Sequence, residues 1–387
     1  MNESRGIVTK QKLTSSSLYL LALFMTIGPN AVASSTWYVN GARGNDNNNC
    51  KSSQAACKTI GHAISQASSG DSIIVASATY KESLGIAFDL TIVGSGARTT
   101  IIDGGVSATV VTVSNAGAHV SLSGLTIRNG LGVSQGGGGI HNVGTLTITN
   151  TTVSGNSSND SGTAAGGLGG GIYNAGTLTV LQSTVSGNSV TRYQIGAIPF
   201  GAGIYNTGKL TITNSTLSGN QAADYWPAGA PYGGGIANVG GTVMISNATI
   251  SNNSALIHTP YGTAGTYGGG IYNAGPTMPT LQNSIVANNK LGGNCNGVVN
   301  SDGYNLSGDT TCSLNGPGDQ KSTNPMLGPL QNNGGPTGTM ALLAGSSAML
   351  AGNPNACTDG NGQLLTTDQR GVARPSSGPC DIGAYQH

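Results

Sequence analysis

The chain has 387 residues, 64 of them glycine, with 15 basic against 14 acidic side chains. Only 7% of residues are charged while 37% are hydrophobic, which excludes a polyelectrolyte tail and a chain too polar to fold. Glycine costs about 1 kcal/mol at each helix interior position, so long helical bundles are excluded, and the lack of a Gly-X-Y period excludes collagen.

Residues 1–33 have the pattern of a signal peptide: basic Arg5, Lys10 and Lys12, an apolar run from Leu18 to Ile27, and small residues at Ala31-Val32-Ala33. The apolar run is short for a membrane span and no later segment is a better candidate, so the expected location is secreted or at the cell surface. Without the leader the chain carries 12 basic and 13 acidic residues. That balance lacks the basic footprint that nucleic acid requires. Six cysteines in an exported chain point to disulfides, and their local spacing predicts Cys50–Cys57, Cys295–Cys312 and Cys357–Cys380.

Between the first two cysteines and residue 135 the predicted elements are short. The run Asn45-Asp46-Asn47-Asn48-Asn49 offers oxygens to calcium, with Asx turns as the competing reading and no other cofactor expected. Apolar residues at Ile60, Ala63, Ile64 and Ala67 predict a short amphipathic helix over 58–68, suited to cap an open end. Strand-like runs follow at Ser72–Val75, Leu90–Val93, Thr100–Ile102, Val110–Val113 and Val120–Ile127.

From residue 138 a repeat sets in. Gly-Gly-Ile-His-Asn, Gly-Gly-Ile-Tyr-Asn, Ala-Gly-Ile-Tyr-Asn, Gly-Gly-Ile-Ala-Asn and Gly-Gly-Ile-Tyr-Asn place Ile140, Ile172, Ile204, Ile236 and Ile271 at intervals of 32, 32, 32 and 35 residues. Alternating segments such as Leu146-Thr-Ile148-Thr follow each, then a run ending in Asn156, Asn188 or Asn220. A fixed period marks a stacked solenoid, and period-2 alternation makes its unit a strand. Each repeat is expected to be one coil of three strands. Parallel crossovers are right-handed, so the predicted fold is all-β, a right-handed parallel β-helix with an N-terminal capping helix. Asn142, Asn174, Asn206, Asn238 and Asn273 are expected to form a ladder at a corner. After about residue 295 the repeat ends and Pro and Cys appear, which suits a terminal cap. The expected divisions are 1–33, 34–135, 136–294 and 295–387.

The repeat resembles those of polymorphic outer-membrane proteins within the pectate-lyase-like β-helix superfamily. The ending resembles the "choice-of-anchor Q" region of exported bacterial β-helix proteins, through Asn332-Asn-Gly-Gly-Pro-Thr337, Ala341-Leu-Leu-Ala-Gly345, Thr367-Asp-Gln-Arg-Gly371, Arg374-Pro375 and Cys380-Asp-Ile-Gly-Ala-Tyr385. The resemblance implies an exported β-helix and leaves its activity open, because this fold hosts binding and catalysis alike.

Variable stretches at about 157–168, 189–201, 221–233 and 254–268 are expected to build one face of the solenoid. They hold Tyr193, Phe200, Tyr225, Trp226, Tyr232, Tyr261 and Tyr267, aromatic surface suited to stacking on sugars or anchoring a partner protein. A second stripe, His141, Tyr173, Tyr205, Ala237 and Tyr272, alternates outward from the repeat isoleucines, where stacking between coils competes with sugar binding. Between residues 138 and 294 the only carboxylates are Asp160 and Asp224, with Arg192 and His258 on neighbouring stretches. These four are the candidate acid–base set for a polysaccharide lyase or glycoside hydrolase. The leading expectation is a non-catalytic, adhesin-like or glycan-binding protein whose partner is an extracellular glycan or a surface protein; the enzyme is the alternative.

Overall fold

Alternation in the repeats puts every second side chain on one side of the backbone, and the structure buries that side. In the computed structural model, which describes residues 34–133, 136–159, 167–192, 198–225, 230–257 and 265–387, the chain is a right-handed parallel β-helix. The expected leader lies outside these residues, as do Asp160, Tyr193, Trp226, His258 and Tyr261. Among the described residues no helix is long and apolar enough to cross a membrane.

Three long parallel sheets of ten, nine and eight strands form the walls. One coil runs Ile140–Asn142 in the eight-stranded sheet, Thr145–Thr149 in the ten-stranded sheet and Thr152–Ser154 in the nine-stranded sheet. Register is kept from coil to coil: Ile140 faces Ile172, then Ile204, Ile236 and Ile271. All five side chains are fully buried, with Leu146, Ile148 and Val153 of the first coil and their equivalents beside them. Each such side chain contributes about 1.5–3 kcal/mol by leaving water.

The three-strand coil expected from the sequence is incomplete. Ser157–Asn159, Ser189–Arg192, Gln221–Asp224 and Ser254–Ile257, together with Leu131–Gly132, form a fourth, five-stranded parallel sheet at the start of the variable stretches. Its inner row is small: Ser158, Val190, Ala222 and Ala255 are buried. Nothing apolar enough to announce a strand is needed there, because the stretch returns close behind it. A Cβ on Gly167 would come within 2.7 Å of Val190 Cγ1.

Corners are made by repeated polar residues. Asn142 Nδ2 donates to Asn174 Oδ1 at 2.7 Å, and the same bond recurs from Asn174 to Asn206, Asn206 to Asn238 and Asn238 to Asn273. A second ladder, from Asn156 through Asn188, Asn220, Asn253 and Asn289 to Asn294, ties the nine-stranded sheet to the variable side. Between the ten- and nine-stranded sheets, Asn150, Gln182, Asn214, Asn247 and Asn283 adopt positive φ, near 50°, a conformation asparagine tolerates better than most residues. One glycine per coil carries the turn into the repeat isoleucine: Gly201 has φ 63°, and a Cβ on Gly203 would lie 2.4 Å from Gly235 O.

The N-terminal helix spans Ile60–Gln66, capped by Thr59 Oγ1, which accepts from His62 N–H. Ile60, Ala63 and Ile64 face the core. The long strand read over 120–127 splits into His119–Ser123 and Thr126–Arg128, because Gly124 turns a corner with φ 67°. The asparagine run beside it forms Asx turns: Asn45 Oδ1 accepts from Asn47 N–H and Asn49 Oδ1 from Lys51 N–H. Asp46 is engaged by Lys58 N–H, Thr59 N–H and Thr59 Oγ1. All three disulfides pair as the spacing predicted.

The last hundred residues do two things. Cys295–Asn296, Asn300–Ser301 and Leu306–Ser307 complete a final coil. From about residue 325 the chain runs back along the outside of the nine-stranded sheet and then returns, so that Leu342, Ala348 and Ile382 pack against Ile285, Ala287 and Leu306 of the last coils. Thr184 Oγ1 donates to Gly338 O, Thr216 Oγ1 to Gln369 Oε1, and Thr249 Oγ1 accepts from Ala384 N–H. The corner residues Gln182, Asn214 and Asn247 donate to the carbonyls of Asp368, Thr367 and Thr358.

Candidate functional site

The aromatic residues of the variable stretches and those of the repeat stripe meet on the outside of the eight-stranded sheet. Strand alternation turns His141, Tyr173, Tyr205, Ala237 and Tyr272 outward, each beside its counterpart in the next coil. His141 and Tyr173 stack with centroids 4.7 Å apart and planes within 1°, and Tyr173 stacks on Tyr205 at 5.4 Å. A parallel column comes from the returning ends of the variable stretches, where Leu168, Phe200, Tyr232 and Tyr267 form successive parallel bridges. Phe200 stacks on Tyr232 at 5.0 Å and Tyr232 on Tyr267 at 5.1 Å.

Ala237 joins the columns. It stands in register between Tyr205 and Tyr272, and its methyl leaves the space a ring would fill. Phe200 leans over that space, 6.0 Å from Tyr205 and 6.1 Å from Tyr272, and Tyr232 tilts against Tyr272 at 4.5 Å. Ala237 is fully buried beneath them. The result is a continuous platform of seven rings, most of them half-buried, so that each is fixed by packing yet still presents surface.

The platform is uncharged at neutral pH. Burial, with a neighbouring tyrosine added, raises Tyr205, Tyr232 and Tyr272 above the usual phenol range. Burial also lowers His141, against a backbone hydrogen bond at Gly136 that acts the other way. Such a surface offers flat ring faces and neutral hydroxyl edges, and it suits stacking against the apolar face of a sugar.

The candidate acid–base set is placed differently. Arg192 and Asp224 are Cα partners on adjacent strands of the five-stranded sheet. Asp224 is fully buried. Asp160 and His258 lie outside the described residues. Tyr225, next along the chain from Asp224, is 45% exposed. Tyr232 and Tyr267 belong to the platform, whereas Tyr193, Trp226 and Tyr261 fall on undescribed segments. Both aromatic groups are visible in the sequence as separate sets; the signal for their union is the single Ala237 in an otherwise aromatic stripe. Among the described residues one group of cysteine, histidine or acidic side chains comes close enough to suggest a metal, Cys50, Cys57 and His62, and its two thiols are joined in a disulfide.

A family model described as a protein of unknown function, DUF1565, matches residues 42–97, which hold the capping helix and the first coils. The search of curated proteins returns no match. Among solved structures the chain is similar to pectate lyase Pel9A, at 13% identity and TM-score 0.49, over 92% of this chain and 98% of that one. It is also similar to a pectin methylesterase variant in complex with a hexasaccharide, at 14% identity and TM-score 0.36, over 67% and 80% of the two chains. A third is the pectin methylesterase PemA from Erwinia chrysanthemi, at 14% identity and TM-score 0.31, over 72% and 82%. None of these likenesses lends this chain a residue role.

Proposed function

We propose that this is an exported, non-catalytic glycan-binding protein, adhesin-like in use, that holds a sugar chain against the aromatic platform. The observation that carries the reading is the platform itself: seven packed rings in two columns, uncharged, with the one described carboxylate of the repeat region buried in the neighbouring sheet. Three disulfides fit an extracellular setting. Attachment to a surface, as the resemblance of the C-terminal region implies, and release into the medium are both compatible with this binding role.

The test is a glycan array read for retention and for soluble product. Retention without product is expected, and Tyr232→Ala should weaken it by about tenfold or more, the loss of roughly 1.4 kcal/mol of stacking. Unchanged retention in that variant, with the fold intact by circular dichroism, would sink the platform as the site. The enzyme reading has one favouring observation, the register that sets Arg192 beside Asp224. It requires product release that disappears in Asp224→Asn.

A further inference from the structure

On the opposite side of the coil from the platform, the structure leaves part of the nine-stranded sheet uncovered. The outward column Thr126, Thr152, Thr184, Thr216 and Thr249 is continuous in register. The returning C-terminal segment takes the hydroxyls of the last three, one per coil. It stops short of Thr152 and Thr126. What remains is a groove of about 450 Å³ between the sheet and residues 330–338.

The groove has an unusual charge balance for this chain. Arg98 and Arg128 line it and no carboxylate does. Arg98 Nη2 donates to Asn332 Oδ1, Gly335 O and Thr337 O, all neutral acceptors, and among the described residues no carboxylate pairs with it. Arg128 is held by Asp103 through Nε at 2.8 Å, which leaves its two terminal nitrogens without a protein partner among the described residues. The hydroxyls of Thr152 and Ser186, half-exposed on the floor, are likewise without side-chain partners there. One uncompensated positive charge, a second guanidinium with open donors and a floor of hydroxyls together match a hydroxyl-rich chain bearing an oxyanion. A planar guanidinium holds such a group through two parallel bonds.

We propose that this groove is a second binding site, separate from the platform, for a saccharide carrying a single acidic group, carboxylate or sulfate. Titration of the intact protein with a uronic-acid trisaccharide, an O-sulfated neutral trisaccharide and the carboxyl-reduced trisaccharide tests it. Hydrogen exchange is read alongside. One or both acidic probes should bind, which also tells carboxylate from sulfate, and the neutral one should bind at least tenfold more weakly. Protection should appear at 97–101, 126–128 and 330–338, and added salt should weaken binding. Arg128→Gln should weaken the acidic probe about tenfold while retention of neutral glycans on the platform is unchanged. Equal affinity for charged and neutral probes, protection confined to the strands of Tyr205 and Tyr272, or no binding by either acidic probe would each overturn the proposal. The exchange map of the unaltered protein decides the matter even if Arg128→Gln disturbs the partly buried Asp103.

Discussion

The repeat region and the returning C-terminal segment solve the same problem, burying polar groups, by opposite means. In the repeats each interior asparagine of a ladder has an asparagine above and below, so its bond has a duplicate one coil away. The C-terminal segment uses each residue once. Arg374, 5% exposed, donates to Gly383 O, Asn214 Oδ1 and Gln386 Oε1, and burial lowers it to about 10 despite the opposing effect of Asp368 and Asp381. Asp381 takes Leu350 N–H, His387 N–H and His387 Nδ1; Asp368 takes Arg370 Nε, Val372 N–H and Gln386 N–H. Damage to a repeated array stays local, whereas damage to a unique network reaches every member.

That contrast is sharpest at Arg374. Arg374→Met should destabilise the C-terminal segment by about 3–5 kcal/mol, because the buried acceptors Gly383 O, Asn214 Oδ1 and Gln386 Oε1 lose their donor. Hydrogen exchange should show protection lost over 325–387 while the solenoid keeps its own. In the repeats, Ile204→Ala removes a fully buried side chain at the middle of the stack and should cost about 3 kcal/mol in denaturant unfolding. Asn206→Ala should cost about 1–3 kcal/mol, leaving Asn174 Nδ2 without its acceptor and Asn238 Oδ1 without its donor. Uniform loss of protection over all coils in that variant would contradict the local picture.

The smallest expected effect is on pH. Asp71 and Asp103 lie below the usual carboxylate range: burial opposes this, and hydrogen bonds outweigh it. Those bonds come from Ser68, Trp37 and Ser35 for Asp71, and from Gly105, Arg128 and Asn129 for Asp103. Their folded forms are held ionised, so their contribution is complete above about pH 4 and is lost as pH falls below that. His141 is also lowered, by burial. The unfolded chain therefore binds its proton first, and stability falls as pH drops through about 6.5. In thermal melts His141→Gln should remove the difference between pH 5 and pH 8 and leave the loss of stability below about pH 4 unchanged.

The same contrast explains how much could be read from the sequence. Repetition made the core, the asparagine corner ladder and the direction of the coil legible, because each signal recurs five times. The five-stranded sheet gave no such signal. Ser157–Asn159 and Gln221–Asp224 share no apolar pattern, although each pairs in register with its neighbours in the sheet. The returning segment was hidden for a related reason. Thr184, Thr216 and Thr249 resemble any outward threonine of a strand until Gly338, Gln369 and Ala384 arrive from far along the chain. At the candidate site the rings were visible as residues, but their merger depends on Phe200 leaning across Ala237, a tertiary fact.

The one-hydroxyl-per-coil contact of the returning segment has a consequence for how such a chain can change length. Both asparagine ladders are indifferent to number: a whole period added or removed leaves each interior amide with an equivalent neighbour. The returning segment is not indifferent. Its contacts at Thr249, Thr216 and Thr184, and at Arg98 beyond them, fix a distance counted in coils, like the marks on a gauge. Gene-level duplication of one period within that span would satisfy every rung of the solenoid and still be rejected, because the segment would fall one mark short.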